Sequence, residues 1–213
     1  MVQLGAPNNP AMNIFVPFTK VQPWTLVAML WYLQHTTFVD VSGDDWDYVK
    51  FFEQRWAERK TFISVEHDVV PGPGVLDSMW GCSEPWCVST YIGPPPPPPS
   101  VAPFFGVIKF TTDLMQALPK IWWDYRNGAH TEFVKKYEKC APGWKCLDVY
   151  FHEYVLERDL FAPHHHWPLA VHGGKNADDA LYPPVRVTDP DGNWLREHEL
   201  SASKTIELTL NTL

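Results

Sequence analysis

The chain has 213 residues, of which 45% are hydrophobic and eleven are tryptophan, and its formal net charge is −8. That length holds one substantial core rather than two comfortable domains, and that apolar content excludes a disordered chain. The acidic balance argues against broad, sequence-independent attraction to nucleic acid, which relies on many Lys and Arg contacts to phosphate, while leaving room for a local basic groove.

After a lead over residues 1–11, Asn13 to Phe18 reads as a strand and Trp24 to Leu33 as a helix with Pro23 in its first turn. A short strand over Phe38 to Val41 follows, with Asp40 inside its end. Asp44 and Asp45 then open a second helix in which Trp46, Val49, Phe52, Glu53 and Trp56 recur at helical spacing. The third strand, Phe62-Ile63-Ser64-Val65, runs into Glu66-His67-Asp68 before Pro71-Gly72-Pro73-Gly74 turns the chain out of the sheet. Right-handed crossovers in this β-α-β-α-β unit predict three parallel strands. The groups at their carboxyl ends then line the edge where open α/β sheets bind ligands.

Glu66 and Asp68 stand two residues apart, so on a continuing strand both carboxylates face one side and can converge on a divalent cation, with His67 turned away. The alternative is that they cap the following turn. No G-x-G-x-x-G follows the first strand and no G-x-x-x-x-G-K-[ST] occurs anywhere, which argues against a dinucleotide oxidoreductase or a P-loop kinase.

Further along, Val75 to Trp80 reads as a short helix and Trp86 to Ile92 as a strand. Cys82, Cys87, Cys140 and Cys146 are spaced C-x4-C and C-x5-C, unlike the tight pairs of zinc ribbons or redox motifs. They read as reduced, mostly buried thiols, with a zinc site as the alternative. Six prolines, Pro94 to Pro99, predict a stiff polyproline II segment of roughly 19 Å, suited to a rigid loop across one face of a site. Phe104 to Phe110 is strand-like around Gly106, and Thr111-Thr112-Asp113 can cap a helix that begins near Leu114.

Trp144 to Glu157 has the spacing of an amphipathic helix, with Leu147, Tyr150, Phe151, Tyr154 and Val155 inward and Asp148 near its N-terminus. Flanking prolines place His164, His165 and His166 on a loop. The apolar run Trp167 to Val171 ends in His172-Gly173-Gly174. The polar stretch over residues 175–213 reads as a surface-wrapping extension, in which Ile206 to Leu210 is a candidate edge strand. No run is long and apolar enough to span a bilayer, and the start lacks the basic-then-apolar order of a secretory signal.

In this order the chain resembles the small GT-A-type glycosyltransferases of phages and some actinobacteria. The resemblance rests on Val16-Pro17-Phe18-Thr19, Val65-Glu66-His67-Asp68, Glu84-Pro85-Trp86-Cys87, Gly106-Val107-Ile108-Lys109-Phe110, Trp144-x-x-Leu147-Asp148 and the late His172, and it covers roughly residues 12–173. It implies a single GT-A-like α/β domain over residues 12–174, with a mostly parallel central sheet and helices on both faces. Residues 12–68 would be the nucleotide-binding half and 69–174 the acceptor half.

The resemblance also implies a nucleotide-sugar donor, usually a UDP-sugar, with Mg or Mn bridging its diphosphate. Asp68 and Glu66 would hold the metal, and His172 would complete its shell ahead of the His164–His166 cluster. Thr19 and Asp40 would contact base and ribose, and Gly106 would belong to the same donor-binding set. Lys109 would neutralise a phosphate or hold the acceptor; otherwise it is a solvated strand residue. Asp148 is the implied general base and Glu84 the second candidate, the alternative for Asp148 being a first-turn carboxylate favoured by the helix dipole.

The favoured acceptor is 5-hydroxymethylcytosine in phage DNA, reached by flipping the base between aromatic side chains such as Trp86, Trp122 or Trp123. Lys135, Lys136, Lys139 and Lys145 form the candidate basic patch, and the cytoplasm of an infected host is the expected compartment. A protein or glycan acceptor, a non-catalytic virion binding module and a metal-dependent hydrolase are the alternatives.

Overall fold

Large apolar side chains alternate along the strands so that the sheet is buried on both faces. The computed structural model describes residues 12–20, 23–72, 74–92, 105–129, 131, 147–156, 158, 164–172, 185–188 and 194–198. Strand β1 (Ile14–Phe18) leads to α1 (Pro23–Met29), which tightens into a 3-10 segment over Leu30–His35. Then come β2 (Thr36–Asp40), α2 (Asp47–Glu58), β3 (Phe62–Val65) and the two-residue β4 (Val69–Val70). Helix α3 (Val75–Gly81) precedes β5 (Trp86–Ile92), β6 (Val107–Phe110), α4 (Thr112–Ala117) and α5 (Ile121–Asp124), which runs into a π turn over Tyr125–Ala129. Helix α6 (Leu147–Leu156) and β7 (His164–His172) follow, and β8 (Val185–Thr188) pairs with β9 (Trp194–His198) as a separate antiparallel hairpin.

The main sheet has the order β2-β1-β3-β6-β5-β7-β4. Strands β1/β2, β1/β3 and β5/β7 pair in parallel, whereas β3/β6, β5/β6 and β4/β7 are antiparallel. Five strands therefore share one direction, and β6 and β4 oppose it. The expected α/β architecture, a mostly parallel sheet covered by helices on both sides, is the one observed.

On one face Phe62, Trp86, Val88, Ile108 and Phe110 pack against α2, α4, α5 and α6. On the other, Ile14, Val16, Ile63, Val65, Cys87 and Val107 pack against Met29 of α1 and Val75, Leu76 and Met79 of α3. The first core is an aromatic lattice. Phe151 stacks on Trp122 with ring centroids 5.5 Å apart, and its edge contacts reach Trp86, Phe105 and Phe110. Trp56 satisfies its buried indole by donating to the Leu118 carbonyl at 2.7 Å. Thr111 caps α4 as expected, its hydroxyl accepting from the Leu114 N–H.

Two expectations are corrected. The third strand stops at Val65; Glu66 donates its N–H to the Gly106 carbonyl, and Val69 donates back to the Glu66 carbonyl, so His67 and Asp68 lie in a turn rather than on a strand. His164, His165 and His166 belong to β7, not to a loop. Proline is tolerated there because the pairing with β5 is interrupted between Ser89↔His166 and Tyr91↔Ala170, two residues against four, and Pro168 falls in that irregularity, where no ladder N–H is needed. The proline tract, the lysines at 135, 136, 139 and 145, and the 206–210 segment lie outside the described residues. Among those described, no helix is long and apolar enough to cross a membrane.

Candidate functional site

Because β1, β2 and β3 run parallel, their carboxyl ends share one edge of the sheet. Thr19 follows β1 there and is exposed, and Asp40 closes β2, paired in register with Phe18. Hydrogen bonding from the Ser42 side chain, and then from the Ser42 N–H, which the Asp40 carboxylate accepts at 2.9 Å, holds its pKa below the ordinary value.

Glu66 comes next along the edge. Alternation along β3 puts Ile63 and Val65 on the α3 side and Phe62 on the α2 side, so Glu66 turns toward α2. There the hydroxyl of Tyr48, in the first turn of α2, donates to Glu66 Oε1 at 3.4 Å. Burial pushes the Glu66 carboxyl up to about 8, the negative charges of Asp68 and Asp148 push in the same direction, and the Tyr48 bond opposes them. Tyr48 is raised well above its ordinary value, by burial first and then by the charges of Glu66, Asp68 and Asp148.

Asp148 enters from α6. Burial raises its carboxyl, against the Val149 N–H that donates to Asp148 Oδ1 at 2.9 Å. Tyr125 lies beside it, pushed up to about 12 by burial and by the Asp148 charge. Residues far apart in the chain, on α2, the β3–β4 turn and α6, thus lie near enough for the charges of Asp68 and Asp148 to act on Glu66 and Tyr48.

Of the residues singled out in the sequence, Glu66, Asp68 and Asp148 are brought together, and Gly106 contacts the Glu66 backbone. Thr19 and Asp40 line the same edge. The backbone of His172 reaches it too, because His172 pairs with Val69, the residue after Asp68.

Lys109 and Glu84 do not join the site. Strand β6 runs against β3 and pairs Lys109 with Ile63, which sends the lysine to the α3 face; it is 1% exposed, and its ammonium donates to the Cys82 carbonyl. It is therefore neither a solvated strand residue nor a phosphate ligand at this edge. Glu84 precedes β5, at the opposite edge of the sheet, so the structure removes it as a candidate base.

Sequence reasoning missed Tyr48. The available signal was its position one helical turn before Phe52, in the helix that leads into the strand carrying Glu66.

Among the described residues, the side chains whose ligand atoms gather within 4.8 Å of one another are Cys82, Cys87 and His166, and Glu66, Asp68 and Asp148 do not form such a group.

No family model and no curated protein matches this chain. Among solved structures it is similar to a glycosyltransferase involved in the glycosylation of the major capsid of PBCV-1, with a TM-score of 0.51 and 16% identity over 79% of this chain and 98% of that one. It also aligns with the A197 protein from STIV, with a TM-score of 0.43 and 11% identity over 91% of this chain and 97% of that one. The chain therefore has a GT-A-like α/β fold, shared with a viral glycosyltransferase.

Proposed function

We propose that this protein is a glycosyltransferase that moves a sugar from a nucleotide-sugar donor, a UDP-sugar in the first instance, to an acceptor hydroxyl. The observation that carries this reading is that Glu66 follows β3 at the carboxyl edge of a GT-A-like sheet, bonded to Tyr48 and within reach of the charges of Asp68 and Asp148. Asp68 and Glu66 would hold Mn or Mg, with His172 as a further ligand. When bound, that cation supplies electrostatic stabilisation of the charge that develops on the leaving diphosphate. Thr19 and Asp40, exposed along the same edge, would contact the base and ribose of the donor.

Asp148 would take the proton of the acceptor hydroxyl. Its raised pKa brings it closer to the working pH, as a general base requires. Tyr48 would orient Glu66 through its hydroxyl.

The proposed acceptor is 5-hydroxymethylcytosine in DNA. A protein acceptor is the second reading, favoured by the net charge of −8 and by the capsid glycosylation in which the structural neighbour takes part. Transfer of labelled sugar from UDP donors, with Mn and with chelator, to hydroxymethylated DNA, unmodified DNA and protein tests both. Label in the hydroxymethylated nucleoside alone supports the first acceptor and label in protein alone the second. No metal-dependent rise in melting temperature with any nucleotide or nucleotide sugar would leave a non-catalytic binding module.

A further inference from the structure

At the opposite edge of the sheet, on the face covered by α3, two cysteines and two histidines converge. Cys82 ends α3, and Cys87 lies near the start of β5. Parallel pairing of β5 with β7 sets Cys87 beside His164 and Ser89 beside His166. Residues two apart on a strand share a face, so both histidines stand over the same face as Cys87. Ligand atoms of Cys82, Cys87 and His166 lie within 4.8 Å of one another. The fourth group closes on them, with Cys82 Sγ 3.0 Å from His164 Nδ1 and the His164 and His166 rings 4.6 Å apart between centroids.

We propose that Cys82, Cys87, His164 and His166 form a tetrahedral zinc site that clamps the α3–β5 turn to the start of β7. Two thiolates and two neutral imidazoles are a familiar donor set for zinc, which accepts sulfur and nitrogen in a four-coordinate shell. Ligand atoms around such an ion sit about 3.2–3.8 Å apart, given bonds of about 2.0–2.3 Å. Small side-chain rotations therefore close the observed cluster.

The surroundings agree with that assignment. Ser78 Oγ lies 2.8 Å from His166 Nδ1, the outer contact that fixes the ring and presents Nε2 as the ligand nitrogen. The buried Lys109 ammonium donates to the Cys82 carbonyl, on the same side of the sheet as Cys87. The clamp also has a structural purpose. Strand β7 returns to the sheet more than seventy residues after β5 begins, and its first residues pair with β5 alone, so an ion bridging the two strands fixes the register that later sets His172 beside Val69.

The test uses the full untagged chain, isolated without chelator under reducing conditions. One equivalent of zinc per chain by elemental mass spectrometry is expected. After stripping, cobalt(II) alone should restore a thiolate-to-metal charge-transfer band in the near ultraviolet and tetrahedral ligand-field bands in the visible. The oxygen ligands at Glu66 and Asp68 give no thiolate band, so this outcome is independent of the proposed activity. His164→Ala combined with His166→Ala should abolish stoichiometric zinc, and Ser78→Ala should weaken zinc affinity by about 10-fold. A wild-type chain that binds neither ion, cobalt spectra without the thiolate band, or a Cys82–Cys87 disulfide in the freshly isolated protein would each overturn the proposal.

Discussion

Tyr48 donates its hydroxyl to Glu66 Oε1 across 3.4 Å, and this bond ties the first turn of α2 to the residue that follows β3. Its placement gives a carboxyl at the sheet edge a neutral hydrogen-bond partner. The neutral phenol gives a donor to a carboxyl that burial and two neighbouring carboxylates hold partly protonated.

Replacing Asp68 by Ala should lower turnover by about 10²–10³-fold, in line with the loss of an electrostatic group at a developing charge. Glu66→Ala should be impaired less. Both variants should melt near the wild-type temperature, since neither side chain belongs to an apolar core. Steady-state transfer with Mn and circular dichroism melts check this, and full Asp68→Ala activity in chelator would remove the metal assignment.

Asp148→Asn should keep the fold and the donor affinity while turnover drops by about 10²–10⁴-fold, the range of a lost general base. Separate measurement of nucleotide binding by calorimetry and of kcat distinguishes a base from a side chain that only orders α6.

Stability of the metal-free protein should fall as pH rises. The folded value of Glu66, about 8, lies above the ordinary 4.5, so the unfolded chain ionises first and the folded chain keeps an extra proton between those values. The contribution is intact below about 4.5 and lost by about 8. Solvent reaching the half-buried carboxyl limits it to about 1–2 kcal/mol. Urea midpoints in chelator at pH 5 and 8.5 measure this slope, which Glu66→Gln should flatten. Tyr48→Phe should move the Glu66 transition to higher pH, because the bond it removes acts downward.

His172→Ala should weaken activation by Mn more than by Mg, because the lost ligand is a nitrogen and the remaining ones are oxygens. Titration of activity with each ion reads the two constants. Equal losses would assign His172 to the β4–β7 pairing instead of the metal.

Phe151 is fully buried, between Trp122, Trp86, Phe110 and Phe105. Phe151→Ala should cost about 3–5 kcal/mol, with the cavity adding to the lost transfer energy. Phe151→Leu should cost less yet still reduce turnover, since α6 carries Asp148 on its first turn. Denaturant midpoints beside kcat report both effects.

Much of this protein was readable locally. Alternating and helical apolar periods located β1, α2, β3, β5 and α6, and Thr111 announced the cap of α4, because burial and capping act over a few residues. The carboxyl-edge position of Glu66 followed from parallel connectivity alone. What tertiary structure decided was every relation across β6, β7 and α6. The reversal of β6 turned Lys109 into the core; an interrupted ladder let Pro168 sit in β7 and put His164 and His166 beside Cys87; and α6, packed by Phe151, carried Asp148 to a carboxylate eighty-two positions earlier. Strand direction and pairing partners are set by the summed burial of both sheet faces, a quantity that no single stretch of sequence contains.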